Sequence, residues 1–594
     1  MIDDGIRSGE TDASASRIKR PSRYLGLGVT AGLLAAFFVV RGCPATRDAG
    51  NAAGSAKRGG QIVGSDRAAP RSFNRMVAAD QPSELFNLLT QGRLVRINRA
   101  TFELEPWLAE KWESSADGRV HTLHLRRGVV WSDGTPFTSA DVLFSVRAAY
   151  APKSGSVVGS SLMPGGAPIK ASAPDGTTVV VEYAAASGAG VRLLDMLPIL
   201  PKHKLEAALD GGTFDKVWDP ATPPAEIVGT GPFILREFQV GQRLVFDRNP
   251  RYWRKAPDGG ILPYLDRLVL EIVPEQNAEL LRLQSGTTDV TSGELRSEDY
   301  VPARRGEEEG TLKMVEAGVA TDADGFWFCL KPEKKKADPR FAFVQKPEFR
   351  QAISYAVDRE EFARTVFLGE AVPVWGPITS GNRQWFTPDL PRYRYNPTRA
   401  VELLKGIGLE DRNGNGIVED GKGTEARFIV ITQRGISNYE RGTTVLKEKA
   451  AKVGIALDIA PLEYSAMVKR LLDCDYDAIY MRFLATDLDP AGNLDFWLSS
   501  GSSHVWNLEQ KMPATEWERR IDALMREQAA TVDDDRRRTI FIEVQRIFAE
   551  NLPVLYFASP RLFLAHSGRL AGVVPSVMRP PILWNADTLS VTNP

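Results

Sequence analysis

The sequence predicts a mixed α/β (α+β) protein, and three observations predict it. Short strand-like runs alternate with helical stretches, several helix starts carry explicit capping signals, and neither heptads nor a repeat of fixed period replaces that alternation. The run VHTLHL at 120–125 alternates with period two, as a half-buried strand does, and so sets His121 and His124 on opposite faces. Thr138-Ser139-Ala140-Asp141 forms a capping box opening the helix DVLFSVRAAY. Val179-Val180-Val181 and 268–273 are strand-rich. Asp358 followed by Glu361 predicts a second capping box before REEFARTVF, with Val357 and Phe362 spaced as a hydrophobic staple. Asn396-Pro397 reads as a cap plus first-turn proline, and the helix TRAVELLKGI stops at Gly408.

Composition sets the outer bounds. A chain of 594 residues suggests three or four domain-sized units. Hydrophobic residues at 43% and charged residues at 25% are ordinary globular values. A formal net charge of −1 excludes a strongly basic nucleic-acid binder and an acidic tail. Charge runs at 334–336 and 533–538 read as solvated faces or helix starts. Cys329 and Cys474 either pair in an oxidising compartment or stay buried and inert, and there is no CxxC.

The N-terminus reads as an address. The apolar run 24–40, YLGLGVTAGLLAAFFVV, follows a basic region, 1–23, that carries Arg17, Lys19, Arg20 and Arg23. A positive flank, an apolar stretch and small residues mark an export segment. Seventeen helical residues cover about 26 Å, just under a hydrocarbon core of about 30 Å. Gly42-Cys43 resembles the end of a bacterial lipoprotein signal, which implies lipidation of Cys43; an uncleaved anchor and ordinary cleavage are the alternatives. Residues 24–43 are thus an export signal or membrane anchor, and 44–59 a Gly/Ala-rich linker.

Constellations that look like chemistry fall short. The stretch 416–423 lacks the Ser or Thr that closes a P-loop, and no apolar strand feeds it. The 411–420 loop mimics the first half of an EF-hand, with oxygen ligands at alternate positions and Gly416 in sixth place. Lys422, however, stands where the bidentate Glu belongs. We read it as a polar turn between helix and strand, with a weak calcium site as the alternative. Five scattered histidines make no three-ligand zinc site, and no GxSxG elbow occurs. No catalytic residues, resident metal or cofactor are expected.

Five strings, in order, carry a family resemblance: LEPWLAEKWESSADGRVHTLHLRRGVVWSDGTPFTSADVLFSV from Leu104, VGTGPFILREFQVGQRLVFDRNPRYW from Val228, LRLQSGTTDV from Leu281, FRQAISYAVDREEF from Phe349, and RRRTIFIEVQRIFAENLPVLYF from Arg536. Together they resemble family 5 extracytoplasmic solute-binding proteins of ABC transporters, the oligopeptide- and dipeptide-binding group. The resemblance implies a periplasmic-binding-protein-like fold, two lobes joined by a hinge with an extra third domain. Carried over, lobe one is 57–88, 228–322 and 557–594, the extra domain 89–227, and lobe two 323–556. It further implies a monomeric receptor in the bacterial cell envelope, on the periplasmic or extracytoplasmic side. Such a receptor captures a peptide or other small solute in an interlobe cleft and delivers it to ABC permease subunits. Oligosaccharides and metal chelates serve other relatives of this architecture, and an envelope hydrolase acting through Asp487 and Asp489 is the alternative reading.

The same resemblance implies the ligand contacts. In peptide-binding members an aspartate of lobe two takes the ligand ammonium; here, counting back from Pro490, that position falls on Thr486, with Asp487 one residue later. Ala485 and Asp489 flank them, and Phe483 stands where the family often has Trp. Ser83 and Glu84 match the segment bordering the cleft in lobe one, and Trp375 matches a cleft-lining loop. Trp497 and Trp506 are further aromatic candidates.

Overall fold

The computed structural model describes residues 57–291, 293–483 and 488–592. The 24–43 segment with Cys43 lies outside them, as do Ala485, Thr486 and Asp487. No helix among the described residues is long and apolar enough to cross a membrane.

Two large sheets organise the chain. The first has eight strands, in the order Lys313–Val319, Ala558–His566, Val290–Thr291, Gln61–Asp66, Arg267–Ile272, Arg243–Arg248 and Phe233–Gln239, with Ala371–Pro373 added beside Ala558–His566. The second has five: Ala456–Leu462, Arg427–Gln433, Ala478–Arg482, Asp324–Phe328 and Leu555–Tyr556. In that sheet Arg427–Gln433 runs parallel to both neighbours. Parallel pairs need a crossover, and the helices Ser437–Ala451 and Tyr464–Leu472 stand between the strands they connect. A separate four-stranded antiparallel sheet, Ala109–Ser114, Val120–Leu125, Thr178–Glu182 and Lys170–Asp175, belongs to the segment between the first and second strands of the large sheet. The period-two reading of 120–125 holds there: His121 is buried with Nδ1 2.8 Å from Ser114 Oγ, while His124 faces Glu113 at the surface.

The chain passes from the first sheet to the second through 320–323 and returns through Phe557. On one side of this passage Lys313–Val319 pairs with Ala558–His566; on the other, Asp324–Phe328 pairs with Leu555–Tyr556. The passage is pinned by buried hydroxyls. Ser559 Oγ lies 3.2 and 3.1 Å from the carbonyls of Ala320 and Asp322, and Thr379 Oγ1 also donates to Ala320. Beyond it Phe328 meets Phe326, Phe349 and Phe428 edge-on at 5.1–5.8 Å, a centre for the core of the second sheet. Burying each such ring stabilises the fold by about 1.5–3 kcal/mol.

The helix starts obey their local signals with one revision. Thr138 forms the reciprocal box with Asp141, and Asn396 accepts the N–H of Arg399. Asp358 caps its helix through the N–H groups of Glu360 and Glu361. Glu361 does not reach back; its carboxylate is 2.5 Å from Nζ of buried Lys449. A buried ammonium without a counter-charge costs more than a lost cap bond is worth, so the ion pair prevails.

Three groups matter for stability. Cys329 and Cys474 form a disulfide that ties the end of Asp324–Phe328 to the turn before Ala478–Arg482. Arg350 sits beneath the last turn of the helix Asp534–Asn551, donating to the carbonyls of Asn551 and Leu552 at 2.6 and 2.9 Å. Burial lowers its pKa to about 10, so it stays charged at neutral pH and satisfies helix-end carbonyls. Glu84 anchors a cluster that joins the helix Gln81–Thr90 to the strand Val95–Ile97 beyond it. Arg75 meets one carboxylate oxygen at 2.8 Å, and Arg93 and Arg99 meet the other. Arg93 in turn reaches Asp195 at 3.1 Å. Burial alone would push the Glu84 pKa up, but the three guanidiniums outweigh it and hold it at about 2.

The Cys329–Cys474 bridge closes a loop of 145 residues. Cys474→Ser should therefore lower unfolding stability by about 2–4 kcal/mol, read by denaturant unfolding, and added reductant should affect the variant no further. Because the folded pKa of Glu84 lies below its ordinary value of 4.5, its stabilisation is complete above pH 4.5 and is lost as pH falls towards 2. Glu84→Gln should lower stability at pH 7 by about 3 kcal/mol and flatten the pH dependence between 4.5 and 2, measured by chemical denaturation across that range.

Candidate functional site

Where the two large sheets face each other, a cavity of about 360 Å³ opens between them. One wall comes from the loops after Gln61–Asp66 and Val290–Thr291, bringing Arg67, Glu294 and Glu298; the other comes from the second sheet, bringing Asn438 and Arg482. The second wall has a topological origin. In an open α/β sheet the carboxyl ends of parallel strands splay where their connections leave in different directions, and ligands bind there. Arg427–Gln433 ends just before Gly435–Asn438, and Ala478–Arg482 ends at Arg482 itself.

Arg482 is held by its neighbour. Its register partner across the antiparallel pair is Asp324, and Nε donates to Asp324 Oδ1 at 3.1 Å. Asp324 is buried, and Tyr480 lies against its other oxygen. Burial works against the guanidinium's charge, but Asp324, with Asp322 behind it, raises the Arg482 pKa above its ordinary value. Opposite, burial would raise the pKa of Glu294, but Arg579 at 2.7 Å, with Arg67 and Arg482, lowers it below the usual carboxylate range. The chamber therefore carries fixed charges of both signs at neutral pH. An ion pair crosses its rim: Arg441, on the helix Ser437–Ala451, meets Glu298 at 2.8 Å.

The fold disperses the residues singled out from sequence. Ser83 is buried and donates to its N-cap partner Asp80 at 2.9 Å, and Glu84 is the centre of its arginine cluster. Trp375 lines a different cavity, of about 340 Å³, walled by Asp358, Arg359, Arg392 and Tyr395. Two guanidiniums lie over its ring, Arg392 at 5.0 Å and Arg359 at 5.6 Å. Phe483, half-buried, directly succeeds Arg482 and stacks on Phe496 at 6.1 Å. Asp489 caps the turn Pro490–Asn493 through the N–H of Ala491, and its Oδ1 is 2.6 Å from Arg537, which also donates to the carbonyl of Gly188. Trp497 is packed in the core, edge-on to Phe496 and Phe541 at 5.1 Å, and Trp506 donates to Glu518. Ala485, Thr486 and Asp487 belong to the undescribed segment after Phe483. Thus only Phe483 among the described candidates adjoins the chamber in sequence. Arg67, Glu294, Glu298, Asn438 and Arg482 were not among the sequence candidates; the carboxyl ends of parallel strands are the signal that could have found Asn438 and Arg482.

Among the described residues no group of three or more His, Cys, Asp or Glu is placed to hold a metal ion. A chamber with opposite fixed charges and walls from two sheets suits capture of a polar solute.

Comparison with known proteins agrees with that architecture. The family model for bacterial extracellular solute-binding proteins, family 5 Middle, matches residues 103–504. A probable ABC transporter-binding protein of Deinococcus radiodurans is 28% identical, over 87% of this chain and 90% of its own length. The dipeptide-binding protein of Escherichia coli is 24% identical, over 84% and 90%. The structure of the oligopeptide-binding protein AppA of Bacillus subtilis in complex with a nonapeptide covers 91% of this chain and all of its own, with a TM-score of 0.68 at 23% identity. The fold is that of two lobes with an extra domain. Since the family match covers well over half of the sequence, the chain belongs to the family 5 bacterial extracellular solute-binding proteins.

Proposed function

We propose that this chain is the extracytoplasmic receptor of an ABC importer, which captures peptides in the interlobe chamber and passes them unchanged to the permease subunits. The chamber carries the reading: its walls come from both sheets, and it holds carboxylates and guanidiniums that complement the opposite charges of a zwitterionic peptide. Peptide-binding relatives support the same ligand class. The passage through 320–323 and Phe557 serves as the hinge, with lobe one at 57–88, 228–322 and 557–594, the extra domain at 89–227 and lobe two at 323–556. Moving such a pair of lobes from mostly open to mostly closed takes about 5.5 kcal/mol of differential binding, within the roughly 8 kcal/mol of a micromolar ligand.

In this reading the segment after Phe483 completes the site. Asp487, or the backbone around Thr486 and Ala485, receives the ligand ammonium, and Phe483 supplies a flat apolar wall. Extended main-chain hydrogen bonding then gives affinity without strict side-chain choice. The disulfide fits an oxidising, extracytoplasmic compartment, and the 24–43 segment, as anchor or through a lipid on Cys43, keeps a monomeric receptor at the membrane. A hydrolase through Asp487 and Asp489 has less to support it, because the Asp489 carboxylate is held by Arg537 and the N–H of Ala491.

The full chain, incubated with a mixed peptide library, should melt at a higher temperature and return every peptide intact by mass spectrometry; cleaved products would sink the receptor reading. Asp487→Ala should weaken peptides with a free amine by about 30-fold or more while leaving N-acetylated ones within about twofold. Arg441→Ala removes the rim ion pair; it should weaken binding by about fivefold, the equivalent of about 1 kcal/mol, and small-angle scattering should then show a larger open fraction at subsaturating peptide.

A further inference from the structure

The loop that joins the helix Pro397–Gly406 to the strand Arg427–Gln433 contains a buried acid that its surroundings do not explain. Glu419 is 3% exposed. Its Oε1 accepts the N–H of Arg412 at 2.8 Å. Its Oε2 is buried and has no hydrogen-bond partner among the described residues. The nearby guanidinium of Arg412 does not neutralise it, since that group donates to the carbonyls of Glu419 and Gly408. A buried carboxylate oxygen left without a donor or cation is costly. Because Oε1 lies against the backbone of residue 412, the whole carboxylate is set beside the turn formed by 411–416.

That turn presents oxygen atoms. Asp411 accepts the N–H groups of Gly414, Asn415 and Gly416, at 2.8, 3.1 and 2.9 Å. Asn413 Oδ1 accepts the N–H of Asn415, and Asn415 Oδ1 that of Ile417, each at 2.9 Å. The side-chain amide of Asn415 donates to Glu425 at 2.7 Å, which fixes its oxygen. The tight path needs Gly416, whose φ is 83°. Side-chain oxygens at loop positions one, three and five, a glycine at six and a carbonyl at seven are the donor pattern by which a hard divalent cation is wrapped.

We propose that the 411–419 loop binds a calcium-class divalent cation, with Glu419 replacing the twelfth-position acid that Lys422 displaces. The ligands are the carboxylates of Asp411 and Glu419, the amide oxygens of Asn413 and Asn415, and the carbonyl of Ile417. With only two carboxylates the site belongs to the weak class, with a dissociation constant on the order of 10⁻⁴–10⁻³ M, suited to an extracellular calcium supply. It sits at the amino end of Arg427–Gln433, whose carboxyl end leads into the chamber loop about 20 Å away, so it stabilises the strand and does not touch the solute.

Calcium chloride titrated into the full chain, by calorimetry and by melting temperature against an ionic-strength-matched sodium chloride control, tests this. Calcium should bind in the 10⁻⁴–10⁻³ M range and raise the melting temperature, with magnesium at least about tenfold weaker. Glu419→Gln keeps an acceptor for the Arg412 N–H, and should weaken calcium by about tenfold or more. Asn413→Asp adds charge at an exposed position, and should tighten it by several-fold. No calcium response in the parent chain, or an affinity unchanged in both variants, would overturn the assignment.

Discussion

Everything in this molecule hangs on the short ribbon at which two antiparallel strand pairs share a pair of chain passages. Lys313–Val319 and Ala558–His566 hold each other in the first sheet, and their continuations, Asp324–Phe328 and Leu555–Tyr556, hold each other in the second. Between them Ala320 donates its N–H to the carbonyl of Pro560, and the carbonyl of Phe557 accepts the N–H of Val374. The carbonyls of Ala320 and Asp322 are met by the hydroxyls of Ser559 and Thr379, because a buried carbonyl without a donor is not tolerated. The ribbon thus fixes where the two sheets meet, and in the function proposed above it is the hinge about which the lobes close.

Arginine does much of the remaining structural labour. Arg350 and Arg359 are buried with carbonyls and a hydroxyl as partners. Their planar, pre-organised forks meet several oxygens in fixed directions. Glu84, Asp324 and Asp489, by contrast, each meet a guanidinium ionically. The same pairing extends to the chamber wall, where Glu294 meets Arg579 and Glu298 meets Arg441.

How much was legible in the sequence depends on the range of the interaction that decides each point. The cap at Thr138 is legible because donor and acceptor lie within four residues. The strand at 120–125 is legible because its alternation is the burial pattern itself. Glu361 marks the limit, since its choice between a cap and Lys449 depends on a residue 88 positions away. Glu84 has the same cause: the three arginines that claim its carboxylate arrive from the turn before its helix and from either side of the strand after it. Arg482 carries no motif at all, and only the direction of Ala478–Arg482 within its sheet makes it a wall of the chamber. The family resemblance supplied the two-lobed plan, which local pattern alone does not contain.

The order of strands in the first sheet has a consequence for how the protein is made. Gln61–Asp66, the earliest strand, lies two places from Ala558–His566, which comes nearly last and fills the gap between Val290–Thr291 and Lys313–Val319. Until the ribosome has released almost the whole polypeptide, that layer lacks its keystone. The pairing that closes this layer is non-local, and so forms late in folding.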